Sequence, residues 1–222
     1  MKRNNHIIPI PLGITRCYLI RGDNLILIDG GTPNKAGAFR KALRKLSIDP
    51  REIKLIVITH GHWDHIGSVR DIRELTGART AMHELDRECL ESGKERRAQG
   101  VTRWGRFMTG MIGSFSSSIK IPMTDVDITL GDEFPLAPFG INGTVIHTPG
   151  HTFGSVSVLL ETGEAFVGDL AMNMFPLTVR PGLPIFAEDL QKVKESWKML
   201  LDRGVKTIYP AHGKPFPITL LP

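Results

Sequence analysis

Cysteine is scarce in this sequence, and long apolar runs are missing. Cys17 and Cys89 are the only cysteines among 222 residues. Two are too few for a disulfide framework, so we expect a reducing cytoplasm and a packing role for both side chains. No stretch approaches the roughly 18 apolar residues of a membrane span. The first residues lead into a short strand-like run and not into the apolar core of a signal peptide.

Repeats, low-complexity tracts and long linkers are also missing, so residues 1–222 are expected to form one domain. Hydrophobic residues make up 41% of the chain and charged residues 23%, a balance that argues against intrinsic disorder. The formal net charge is +5, and residues 92–120 supply all of it with six basic residues and one Glu. The basic excess therefore belongs to one segment, and nucleic acid is not the expected partner.

Strand and helix patterns alternate along both halves of the chain. Ile14–Arg21 and Asn24–Asp29 are separated by a Gly-Asp turn, which predicts a β-hairpin. Lys54–Thr59 contains a continuous apolar run, as in a strand buried on both faces. Further strands are predicted at Gly143–His147, Ser155–Glu161, Glu164–Val167 and Lys206–Tyr209. Helices are predicted from Thr32-Pro33 onward, at Ile66–Leu75 and at Asp189–Arg203.

This alternation predicts an α/β fold in which two sheets pack between helices. Residues 92–120 differ from the rest, because they are rich in Arg, Gly, Ser, Met and aromatic residues and show no clean periodicity. We interpret this segment, called the 92–120 insertion below, as a basic and aromatic insertion of short helices and loops.

Four potential metal ligands follow the predicted buried strand within six residues: His60, His62, Asp64 and His65. Alternate residues of an extended segment point the same way, so His60 and His62 can bind one ion. Asp64 and His65, where the chain bends into a helix, can face a second ion. Burying these groups without a metal would be costly.

Three more potential ligands lie in loops at the ends of predicted strands. His151 lies between two strands, Asp169 follows an apolar run, and His212 follows the last strand. Loops at rigid strand ends are where a preorganised site is built.

With this H-x-H-x-D-H motif and the later single ligands in the same order, the chain resembles the metallo-β-lactamase-fold superfamily of metallohydrolases. The resemblance implies a four-layer αββα sandwich of two mixed β-sheets flanked by helices, with two metals at the open edge of the sheets. It implies that Asp29 orients the ligands. The resemblance assigns His60, His62 and His151 to the first metal, Asp64, His65 and His212 to the second, and Asp169 to a bridging position.

The donor set predicts the cofactor and the reaction. Five imidazoles and two carboxylates without a thiolate suit two Zn²⁺ ions per chain, and also accept Fe or Mn. A metal-bridging hydroxide is the expected nucleophile, and Asp64 is the expected proton carrier. His147 is expected to support the ligands from behind, and His83 is expected to open a surface helix.

The superfamily acts on many substrates, and this sequence is most similar to its compact glyoxalase II-like and lactonase-like members. We expect hydrolysis of a small ester, thioester or lactone, with an anionic head and an acyl or aromatic body. The 92–120 insertion is the expected specificity element, although a solvated lid or a homodimer contact would also account for it. The candidate substrate contacts are Trp63, Arg103, Trp104, Arg106, Phe107 and Arg180.

Three alternatives remain open at this point. The positive charge permits a phosphodiesterase or nuclease, which would bind with a steep salt dependence. The same ligands would serve a non-hydrolytic, iron-dependent enzyme that oxidises thiols. A metal-stabilised binding protein without turnover is the third alternative.

Overall fold

The structure is a computed structural model that describes residues 5–94, 99–101, 105–107, 119–175, 178 and 180–222. Within these ranges, the strands form two six-stranded sheets. No helix there is long and apolar enough to cross a bilayer. The two predicted packing cysteines, Cys17 and Cys89, are both buried and unbridged.

The first sheet comes from the N-terminal half, in the order β1-β2-β3-β4-β5-β6. Its first three strands are antiparallel, and β3 to β6 run parallel to one another. The strands are β1 (His6–Leu12), β2 (Thr15–Arg21), β3 (Leu25–Ile28), β4 (Ile53–Val57), β5 (Arg79–His83) and β6 (Ile128–Leu130).

The second sheet has the order β12-β11-β10-β9-β8-β7. Only β10 and β11 pair in parallel, and the helix between them makes the crossover. The strands are β7 (Glu133–Pro135), β8 (Gly143–His147), β9 (Val156–Leu160), β10 (Glu164–Phe166), β11 (Thr207–Tyr209) and β12 (Phe216–Pro217).

The helices cover the outer faces of the two sheets. Four of them lie between strands of the first sheet, and a long one packs on the second sheet. They are α1 (Ala36–Lys45), α2 (Trp63–Ile66), α3 (Val69–Thr76), α4 (Arg87–Ser92) and α5 (Leu190–Asp202).

Three buried clusters fill the spaces between the layers. Because side chains alternate along a strand, Leu27 of β3 packs with Phe39 of α1 on the helix side. Its neighbour Ile26 faces the second sheet and shares a cluster with Phe166 of β10. A third cluster joins the second sheet to α5 through Ala165, Ile208, Val193, Trp197 and Leu200. The layers are therefore helix, sheet, sheet and helix, and the predicted αββα sandwich is confirmed.

The seven predicted strands are all present, each within one or two residues of its expected ends. The helix predicted from Thr32-Pro33 is wrong in its start, because α1 begins at Ala36. The Thr32 amide N–H donates to Leu12 O, its carbonyl accepts from Ser68 Oγ, and Ser68 Oγ in turn accepts from the Lys35 amide N–H. These tertiary bonds use the polar groups that a helix start would need.

The helix predicted at Ile66–Leu75 divides into α2 and α3 around Gly67. A β-carbon at Gly67 would lie 2.4 Å from Pro33, so the close approach of these two segments requires glycine. The prediction that His83 opens a surface helix is wrong. His83 is the last residue of β5, is buried, and stacks on His147 with ring centroids 4.1 Å apart.

We expect Asp189 to stabilise α5 as its N-cap. Its Oδ1 accepts from the amides of Gln191 at 2.8 Å and Lys192 at 3.0 Å. Asp189→Ala leaves both amides unsatisfied and should lower the free energy of unfolding by about 1 kcal/mol in urea denaturation. Asp202→Ala, at the other end of the same helix, is the control and should not destabilise the protein, because an acidic side chain there opposes the helix dipole. Equal losses in both variants would contradict the capping role.

Candidate active site

The structure brings the seven predicted metal ligands together between the two sheets. They lie just beyond the carboxyl ends of β4, β8, β10 and β11. Every one of them is buried, including the two carboxylates. The seven residues are His60, His62, Asp64, His65, His151, Asp169 and His212.

The first ligand set consists of three imidazole rings that direct one nitrogen each toward a common point. His60 Nε2 lies 3.0 Å from His62 Nδ1 and 3.1 Å from His151 Nε2, and the last two nitrogens lie 2.9 Å apart. Nitrogens bound to one tetrahedral zinc at roughly 2.0–2.1 Å lie about 3.3 Å from one another. A proton on one nitrogen can satisfy only part of such a set, whereas a cation would satisfy all three.

The outer nitrogens of these rings indicate which inner nitrogens carry lone pairs. His151 Nδ1–H donates to the Phe186 carbonyl oxygen at 2.8 Å. His60 Nδ1 lies 3.1 Å from Thr59 Oγ1, whose own proton goes to Asp29. Both Nε2 atoms are therefore free of protons and turned inward, the tautomer that a metal requires.

The second ligand set combines one carboxylate with two imidazoles. Asp64 Oδ2 lies 3.1 Å from His212 Nε2 and 3.8 Å from His65 Nε2. The outer nitrogens again have fixed acceptors, because His65 Nδ1 bonds Asp29 Oδ2 at 2.9 Å and His212 Nδ1 bonds the Ile14 carbonyl at 3.2 Å. Carboxylate and imidazole donors suit divalent zinc, iron or manganese.

Asp169 lies between the two sets. Its Oδ1 is 3.3 Å from both His65 Nε2 and His212 Nε2, and its Oδ2 is 3.7 Å from His151 Nε2. Each oxygen thus faces one set, which is the arrangement of a carboxylate that bridges two ions. Among the described residues, the buried atoms His62 Nε2, His65 Nε2 and Asp169 Oδ1 have no conventional hydrogen-bond partner.

The two sets differ in their protonation. Burial, together with the neighbouring imidazoles, holds the pKa of His60 well below its usual value and lowers the pKa of His62 to about 3. Burial also lowers the pKa of His151, although Asp169 opposes this. The first set is therefore neutral at pH 7 and ready to coordinate a cation.

In the second set the nearby carboxylates outweigh burial in setting the pKa values of the two histidines. Burial opposes charge on His212, but Asp169 and Asp64 raise its pKa to about 10. The same balance, with Asp29 as the largest opposing charge, raises the pKa of His65 well above its usual value. The two histidines in turn outweigh burial and lower the pKa of Asp64 to about 2. A cation that binds here must displace protons from the rings.

Asp29 lies behind both sets, bonding His65 directly and reaching His60 through Thr59. Its carboxylate accepts from His65 Nδ1 and from the amide and hydroxyl of Thr59. Its backbone has φ 62°, a left-handed conformation that non-glycine residues seldom adopt. In this conformation of the turn after β3, the Asp29 carboxylate points toward the candidate ligands.

His147 lies at the end of β8, four residues before His151. Its Nε2 lies 2.7 Å from the Phe153 carbonyl and so ties the loop that carries His151 to the strand. Its role as a support for the ligands stays a prediction, and the stacked ring of His83 lies against it.

The structure describes four of the six candidate substrate contacts. Trp63 is partly buried and packs against the helix-side core. Arg106, Phe107 and Arg180 are exposed. Outside the described residues lie Arg103 and Trp104.

The sequence analysis missed Asp86, which joins two of the ligand loops. Asp86 Oδ2 accepts from the Gly61 amide at 2.9 Å and from Thr152 Oγ1 at 2.7 Å. Gly61 lies between His60 and His62, and Thr152 follows His151, so one buried carboxylate holds both segments of the first set. The spacing of 21 or more residues from any candidate ligand hides this contact in the sequence.

Two further polar residues that the sequence did not single out lie beside the second set, and the Asn173 amide donates to the His212 carbonyl at 3.1 Å. Thr15 Oγ1 donates to Asp64 Oδ2 at 3.1 Å. Asn173 clamps the loop after β11, since its Oδ1 accepts from the Lys214 amide at 2.7 Å and its Nδ2 donates to the Lys214 carbonyl at 2.9 Å. The loop that carries His212 is therefore held in place by hydrogen bonds.

Comparison with known proteins gives one consistent family. The sequence model of the metallo-beta-lactamase superfamily matches residues 10–212. A "Probable metallo-hydrolase" of Methanocaldococcus jannaschii is 29% identical over 204 residues, which cover 89% of this chain and 86% of that protein. A beta-lactamase-like protein 2 homolog of Drosophila melanogaster is 28% identical over 90% of this chain, which spans 58% of the fly protein.

Solved structures show the same fold at lower identity. BLEG-1, a B3 metallo-beta-lactamase, superposes with a TM-score of 0.71 at 22% identity, covering 97% of this chain and 95% of that chain. The metallo-beta-lactamase MIM-2 gives a TM-score of 0.68 at 19% identity, covering 93% of this chain and 73% of that chain.

We expect Asp86 to control metal affinity at the first set. Asp86→Ala removes the acceptor for both loops and should weaken zinc binding there about 10- to 100-fold. Asp86→Asn keeps one oxygen that can accept from the same two donors, so it should weaken zinc binding less than Asp86→Ala. Chelator competition on folded protein measures the affinity. Asp202→Ala, at the exposed end of α5, is the control, and equal affinity in all four proteins would contradict the prediction.

Proposed function

The chain belongs to the metallo-beta-lactamase superfamily and is a metal-dependent hydrolase, and we propose that it cleaves a small ester, thioester or lactone with two zinc ions. The observation that carries the proposal is the position of Asp169 between two ligand sets. The first set would hold one ion and the second set the other, with Asp169 shared between them. Iron or manganese would fit the same donors.

Two divalent ions at this position would lower the pKa of a shared water toward neutrality and polarise a substrate carbonyl. The chain's own contribution is to fix the ligands and to carry the proton. Asp64 is held ionised by His65 and His212 and is oriented by Thr15. It can therefore accept a proton from the attacking water and return it to the leaving oxygen or sulfur.

Residues 99–101 of the 92–120 insertion lie close to the first set. The Val101 amide donates to the Ile185 carbonyl, and the Ala187 amide donates to the Gln99 carbonyl. Phe186 lies between Ile185 and Ala187, and its carbonyl oxygen accepts the hydrogen bond from His151 Nδ1. Residues 99–101 are thus anchored beside the candidate ligand His151, which supports the role of the insertion as a specificity element for an anionic substrate with an acyl or aromatic body.

Phe107 is 60% exposed, and Arg106 is exposed beside it. Both could contact a substrate or a second copy of the chain, so the homodimer stays a prediction. We propose the glyoxalase II-like or lactonase-like subtype because the sequence is most similar to these compact members. We propose a cytoplasmic location because the chain has only two cysteines.

Asp64→Ala should reduce kcat by about 10²- to 10⁴-fold, because it removes the proton carrier and one ligand. The measurement is hydrolysis by zinc-loaded protein of a panel of thioesters, lactones, a phosphodiester and a cephalosporin. The panel also identifies the substrate class. Asp71→Ala, on the exposed face of α3, is the control. Retained hydrolysis in folded Asp64→Ala protein would refute the mechanism.

Elemental analysis of purified protein should find about two metal ions per chain. His151→Ala and His212→Ala each remove one ligand, from the first and the second set respectively, and should each lower the content to about one. His6→Ala, an exposed histidine far along the chain from the motif, should keep two. A wild-type content of one or none would contradict the two-ion site.

A further inference from the structure

A groove of about 400 Å³ borders the second ligand set. Its lining includes Thr15, which bonds Asp64, and the residues on both sides of His212. The volume lies in the range of small-molecule sites. Any substrate placed at the ligand cluster can therefore extend into this groove.

Two cations line the groove, Arg16 from β2 and Lys214 from the loop after β11. Among the described residues that line the groove, none is an Asp or a Glu. The Arg16 guanidinium lies near the hydroxyl of Tyr18, which donates to the Pro210 carbonyl at 2.7 Å. Arg16 is thus held by the strand while its charge stays available.

Most of the remaining lining of the groove is apolar, and hydrogen bonds hold the loop on one side of it. Ile14 and Phe175 line it and are 53% and 80% exposed. On the other side, Asn173 holds the backbone of Lys214 through two hydrogen bonds. A β-carbon at Gly213 would lie 1.7 Å from Asn173 Oδ1, so only glycine permits this close clamp.

We propose that Arg16 and Lys214 bind an anionic group of the substrate, a carboxylate on its leaving portion, while Ile14 and Phe175 contact its apolar body. The inference rests on the proposed hydrolase function and names a recognition site for it outside the 92–120 insertion. Paired cations next to apolar surface favour an amphipathic monoanion over a neutral molecule.

The test uses zinc-loaded full-length protein and two matched substrates. These are the phenylacetyl thioester of 3-mercaptopropionate and the phenylacetyl thioester of 3-mercaptopropionamide, which differ only in the charge of the leaving group. Arg16→Gln and Lys214→Gln should each raise KM for the anionic thioester about 10- to 100-fold, with kcat nearly unchanged. KM for the neutral thioester should stay the same. Lys198→Gln, an exposed cation on α5, is the charge-matched control.

Equal changes in KM for both thioesters would overturn the proposal, and so would a loss confined to Arg106→Gln. A binding measurement separates this proposal from the hydrolase function. The probe is 3-phenylpropane-1-sulfonate, a weak zinc ligand, titrated by calorimetry. If neither thioester is cleaved but the sulfonate binds wild-type protein at least 10-fold more tightly than Arg16→Gln, the anion site stands and the proposed activity on thioesters fails. Equal sulfonate affinity of the wild-type and Arg16→Gln proteins, or no binding to either, would overturn the proposed anion site.

Discussion

The carboxylate of Asp29 connects the fold to the site. It follows β3, and its amide donates to the Val57 carbonyl of the neighbouring parallel strand. Its side chain accepts from Thr59 and from His65. The buried imidazoles depend on such fixed acceptors, because a ring that can rotate or change tautomer would not keep its lone pair turned inward. The same logic applies to Phe186 and Ile14, whose carbonyls fix His151 and His212.

Both sheets contribute residues to the site. The first sheet supplies the clustered ligands after β4, and the second supplies single ligands after β8, β10 and β11. Each sheet also positions the other's ligands. Asp86, which follows β5 of the first sheet, holds Thr152 beside His151. Arg16 of β2 and Lys214 after β11 face one groove. Ligand geometry and substrate contacts therefore both depend on how the sheets pack.

Much of the fold was predictable because local patterns agree with the layers. The apolar run in Lys54–Thr59 became a strand with parallel neighbours on both sides. Predictions failed where tertiary contacts replaced local ones. Thr32 has the residue type of a helix cap, yet its hydrogen bonds go to Leu12 and Ser68. His83 precedes a helical pattern, yet it is the last residue of β5. The sequence did not predict this strand, because Arg79–His83 is short and lacks a strong strand pattern of its own.

The sequence by itself determined most strand positions and the seven candidate metal ligands, because donor type and spacing are local properties. It also located the basic excess in the 92–120 insertion. Only the tertiary structure decided which ring nitrogen faces the cluster, that Asp169 lies between the two sets, and that Asp86, Asn173 and Arg16 contribute. These features depend on hydrogen bonds and contacts between residues far apart in the chain, and no local pattern encodes such distances.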